Sequence, residues 1–136
     1  MAVEAFVLLA MFRVALAVVP VHQIMRAVTR ERMGARGRAN GVDEGEATER
    51  DIAIAMRVRW AIEAVGRHSA VGFVCFPQTL AAYVMLRRRG VASTMVYGVA
   101  RSPEGELIAH TWLVVGGRSV VGGEGSGGFA EVERWR

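Results

Sequence analysis

Cys75 is the only cysteine of the chain, and Pro77 follows it by two residues. Proline suits the first turn of a helix, where its missing N–H has no intrahelical partner to lose. The spacing therefore sets a thiol at or just before a helix start, where the partial positive charge of the helix end favours thiolate. The second candidate is His110, which stands between Ala109 and Thr111 in a strand-like segment, two residues before Trp112. A neutral imidazole beside such a thiol takes its proton and leaves a thiolate–imidazolium pair able to attack a carbonyl. Each residue also has a plainer reading. Free cysteine packs as a small hydrophobe, and a strand histidine can simply be hydrogen-bonded in a core.

The elements around these two residues follow from periodicity and punctuation. Along 75–89, Cys75, Thr79, Ala82 and Leu86 form one helical stripe, while Phe76, Leu80, Tyr83, Val84 and Met85 cover most of the remaining circumference. A helix apolar nearly all round is a central one. Arg87, Arg88 and Arg89 set cations against its negative end, and Gly90 stops it. Upstream, Thr48 and Asp51 form a capping box for a helix running to Gly66, with Ile52, Met56, Trp60 and Val65, and Ile62 beside them, as its apolar face.

Residues 3–19 are apolar except for Glu4 and Arg13, and end at Pro20. That run is shorter than the roughly 20 residues a bilayer needs, and Glu4 lies where a signal peptide requires positive charge. The expectation is a helix packed on the core or against a partner, with membrane contact the minority reading. Residues 21–33 continue in helical style with a basic face, and 34–48 reads as a loop. The organisation expected is a single domain over 1–136: a helical arm (1–33), a loop (34–48) and a catalytic core (49–136).

After Gly90 the period changes to two. Residues 94–101, 107–115 and 118–122 read as three antiparallel strands, joined by a turn at 102–106 and a Gly116-Gly117 hairpin. In that register Arg101 faces Leu107 and Val115 faces Arg118, so His110 falls opposite Gly98 on one side and Gly123 on the other. Missing side chains there leave room for another backbone, a helix start or an extended substrate. A third group should orient the imidazole through its other nitrogen. No Asp follows Asp51. Glu124 is one residue out of phase, and a single bulge in the Gly-rich run would carry it to His110; a backbone carbonyl or Gln78 are the other candidates. Residues 129–136 read as a short tail capping the sheet. Helices followed by an antiparallel meander give the α+β class.

Composition bounds the rest. The basic residues are 17 arginines with no lysine against 13 acids, a net charge of +4, and 52% of residues are hydrophobic. One cysteine forbids an internal disulfide and fits a reducing, cytoplasmic compartment. His22, His68 and His110 show no metal-ligand spacing, and no cofactor is expected. The arginine runs come without a nucleic-acid-binding motif, so nucleic acid is not an expected partner.

Two segments together carry a family resemblance. Cys75-Phe-Pro-Gln-Thr-Leu80 through Leu86-Arg-Arg-Arg-Gly90, then His110-Thr-Trp-Leu113 and Gly117-Arg-Ser-Val-Val-Gly-Gly123, resemble the stand-alone leader peptidase of lasso-peptide biosynthesis. The resemblance implies a transglutaminase-like, papain-like cysteine peptidase core, with N-terminal helices and a central Cys-bearing helix packed on a small antiparallel sheet. It implies Cys75 as nucleophile and His110 as base; the aspartate that completes the family's triad is missing after His110. It also implies a precursor peptide as substrate, a leader-recognition protein that delivers it, and an ATP-dependent lasso cyclase that closes the freed core. An acyltransferase using the same Cys–His pair, or a non-catalytic precursor-binding subunit, are the alternative functions.

Overall fold

The computed structural model describes residues 1–18, 23, 47–68, 75–124 and 126–136. Three helices, α1 (Ala2–Val18), α2 (Glu49–His68) and α3 (Cys75–Arg88), pack on a sheet of four strands. The strands are β1 (Thr94–Arg101), β2 (Leu107–Val115), β3 (Arg118–Val121) and β4 (Ala130–Trp135), in the order β3-β2-β1-β4. The expected α+β class is the observed one. Most of the expected second helix (21–33) and of the 34–48 loop lies outside the described residues.

The helix boundaries follow from local chemistry. Thr48 and Asp51 cap α2 reciprocally: the Asp51 amide donates to Thr48 Oγ1 (3.2 Å) and the Thr48 amide to Asp51 Oδ2 (3.1 Å). At the end of α3, Val91 N–H reaches the Leu86 carbonyl and Gly90 N–H the Arg87 carbonyl. This is a Schellman closure, which needs the left-handed φ of +72° that Gly90 supplies without strain.

As expected, α3 is central, with Thr79, Leu80, Ala81, Ala82, Met85 and Leu86 fully buried. The inner face of α1 is Ala5, Leu8, Leu9 and Phe12, while Val3, Phe6, Val7, Met11 and Val14 stay exposed. No helix among the described residues is long and apolar enough to cross a membrane. The face expected for α2 holds at Ile62, which is buried, and at Ile52 and Val65, which pack against the core, and needs correction at the other two. Met56 and Trp60 are exposed, and its buried residues are Ala55, Val58, Ala61 and Ile62. Small side chains there let α2 sit close against α1 and α3, which spacing of the large residues alone does not reveal.

The β1–β2 register is the expected one, Arg101 opposite Leu107 and Gly98 opposite His110. Gly116 and Gly117 both have positive φ (+54° and +73°), the signature of a type I′ hairpin, and Val115 pairs with Arg118. Two features differ from the sequence reading. A bulge between Ser119 and Val121 shifts the β2–β3 pairing to Leu113 opposite Val121, where the ladder ends. The C-terminal tail is also a full fourth strand on the far edge of β1, with Trp135 edge-on to Tyr97 at 6.3 Å.

Glu4 ties α1 to the end of α3: Arg89 Nη2 donates to it at 2.6 Å, and Arg88 lies at 3.4 Å. The Arg89 hydrogen bond, ahead of the opposing burial, holds the Glu4 carboxyl below its ordinary value of 4.5. A depressed carboxylate contributes stability above that ordinary value and loses it as pH falls through the folded value. Urea unfolding should therefore show wild type losing about 1 kcal/mol more than Glu4→Gln between pH 6 and pH 3. Equal losses would remove the pair from the stability of the fold.

Candidate active site

Cys75 is the first residue of α3 and is half-buried. What fixes that helix start is Thr79, one turn later and fully buried. Its hydroxyl donates to the Cys75 carbonyl (2.9 Å) and lies 3.2 Å from the Thr111 carbonyl. The Thr111 hydroxyl in turn donates to Thr79 Oγ1 (3.3 Å). The first turn of α3 is thus fastened to the residue that follows His110.

Side chains alternate along β2, so its two faces are distinct. Leu113 and Val115 join the helix-packed core and Thr111 binds α3, while His110 and Trp112 face the other way. The chain from β3 to β4 crosses this second face, from one edge of the sheet to the other. The imidazole stacks on Trp112 (centroids 6.0 Å apart) and tilts against Phe129 (5.2 Å). The space beside Gly98 goes to Trp112: a Cβ on Gly98 would lie 2.8 Å from the indole. The expected room for substrate beside Gly98 is therefore filled by an aromatic ring.

The orienting group is a backbone carbonyl. His110 Nε2 lies 2.5 Å from the Gly122 oxygen. A carbonyl can only accept, so Nε2 carries the hydrogen and Nδ1 is left with the lone pair, as a base requires. The bulge lies earlier than the Gly-rich run expected to hold it, between Ser119 and Val121, and the ladder ends at Val121 before Glu124 can pair. Glu124 instead accepts from Arg59 Nη2 (3.2 Å), and Arg59 Nε donates to Glu63 (2.6 Å). The Glu63 hydrogen bond, chiefly, raises the already high pKa of Arg59 further. Gln78 borders the cavity beside this ion network.

No hydrogen bond joins Cys75 to His110. The helix bearing the thiol packs on one face of β2 and the imidazole sits on the other. Beyond Leu113, however, β2 has no partner strand on the β3 side. The chain through Gly122 follows that edge, where a Cβ on Gly122 would lie 2.6 Å from the Thr111 carbonyl.

A family model described as the transglutaminase-like superfamily matches residues 5–134. The chain belongs to that superfamily. Members of the transglutaminase-like superfamily include cysteine-type enzymes, and the match spans the segments that hold Cys75, His110 and Glu124 alike. No curated protein and no solved structure matches the chain.

Two substitutions test this transglutaminase-like site. Thr79→Val removes the hydroxyl that holds Cys75 and Thr111 and should cost about 1–3 kcal/mol in denaturant unfolding. Gly122→Ala puts a Cβ 2.6 Å from the Thr111 oxygen at a φ of +71°. It should destabilise by about 1–3 kcal/mol and shift the His110 ring resonances in NMR. Unchanged resonances would show that the Gly122 carbonyl does not hold the ring.

Proposed function

We propose that the protein is a cysteine peptidase that removes the leader from a lasso-peptide precursor before a partner cyclase closes the ring. Cys75 attacks the scissile carbonyl as thiolate, its proton taken by His110 Nδ1. The imidazolium gives that proton to the leaving amine as the acyl-enzyme forms; His110 then takes a proton from the water that hydrolyses the thioester and returns it to the thiolate. Amide N–H groups in the first turn of α3 are the donors for the oxyanion. The reading is carried by one observation: Thr79 fastens the Cys75 end of α3 to Thr111, directly beside a histidine whose Nε2 is already committed to a carbonyl. Membership of the transglutaminase-like superfamily supports the same chemistry. This scheme requires the His110 ring to leave its seat on Trp112 and Phe129 and reach the Cys75 side of β2 when substrate binds.

The lack of a Cys75–His110 hydrogen bond favours a second reading, a non-catalytic subunit that holds the precursor for the cyclase. Mass spectrometry of a lasso precursor incubated with this protein and its leader-recognition partner separates the two. The peptidase gives leader and core as separate masses, and Cys75→Ala or His110→Ala lowers the rate by about 10³-fold or more. Intact precursor that nevertheless co-purifies with the wild-type chain would establish the holding role instead.

A further inference from the structure

A cavity of about 420 Å³ lies between α2 and β3. One wall is the unbroken run 119–124; the other is Arg59, Ile62 and Glu63 of α2, with Gln78 of α3 beside them. Among the described residues β3 is the end strand of the sheet, and no described strand lies on its outer side. Such an edge is a template for one more extended chain. The run ends where the Gly122 carbonyl meets His110, and Gln78 lies in the first turn of the Cys75 helix. A chain laid along β3 therefore passes the first turn of that helix.

Charge narrows the occupant. Two carboxylates, Glu63 and Glu124, share the single guanidinium of Arg59. The mouth of the cavity is thus net negative in a chain whose overall charge is +4. The Glu124 side chain is 93% exposed and holds Arg59 by a single contact, which leaves it free to pair with an incoming cation.

We propose that this cavity is the substrate cleft, binding an extended peptide as an added strand on β3 with a lysine or arginine side chain between Glu63 and Glu124. Its role in cleavage rests on the peptidase reading; the binding does not. The backbone of the peptide supplies ladder hydrogen bonds and the basic side chain supplies selectivity.

The test uses the full chain carrying Cys75→Ala and fluorescence anisotropy. The probe is a fluorescein-labelled short peptide alternating Val and Thr around one Lys. Companion probes carry Glu in place of Lys, or N-methyl groups on alternate amides. The Lys probe should bind most tightly, and N-methylation should weaken it by about tenfold or more, as expected for two or three lost hydrogen bonds. Glu124→Gln should weaken the Lys probe about two- to five-fold, in line with an exposed ion pair, and leave the Glu probe no weaker. Equal binding of the N-methylated probe, or a Glu probe as tight as the Lys probe, overturns the proposal. Precursor cleavage by the wild-type chain is followed in parallel. Cleavage with no dependence on Glu63, Glu124 or the probe amides sinks the cleft alone. The expected binding pattern without any cleavage sinks the peptidase reading alone.

Discussion

The contact between Thr79 and Thr111 is the constraint on which the candidate site depends. Two hydroxyls and two carbonyls, sealed from water, join the first turn of a helix to the middle of a strand. Buried polar groups are costly unless partnered, so this cluster has one satisfactory arrangement, and no buried polar side-chain atom among the described residues lacks a partner. A purely apolar contact would let α3 slide along the sheet. The paired threonines fix both its height and its rotation, and with them the direction of the Cys75 helix start.

The rest of the fold divides its labour around that contact. The helices crowd one face of the sheet, and Glu4 holds α1 against the far end of α3. The opposite face is closed by Trp112, Phe129 and the crossing chain, which give His110 an aromatic seat. β3 is short, and past Leu113 the chain through Gly122 follows β2 without ladder pairing, its carbonyl on the His110 ring.

Much of this was legible in the sequence because the signals are local. Thr48 with Asp51, Gly90 after three arginines, and Gly116-Gly117 each specify one backbone geometry within a few residues. The register from Arg101 to Leu107 follows from turn length alone. What escaped depends on contacts distant in sequence. β4 is an edge strand, exposed along most of its length, so it lacks the alternation that marks a half-buried one. Two of the four buried residues of α2 are alanines, which spacing rules for large residues pass over. The bulge expected to bring Glu124 to His110 belonged to the Gly-rich run; the one present follows Ser119. Where the ladder would stop, and that Arg59 would draw Glu124 aside, were not visible in one dimension.

A peptide carbonyl in the orienting position changes what can be lost and what can be inherited. Every amino acid carries one, so no exchange of side chain deletes the acceptor, and no proton binds it at any pH compatible with a folded chain. Drift in such a lineage would act on the bend of the main chain and leave the chemistry of the acceptor alone. A search for a third acidic partner would therefore pass over a histidine whose ring is held by a main-chain oxygen.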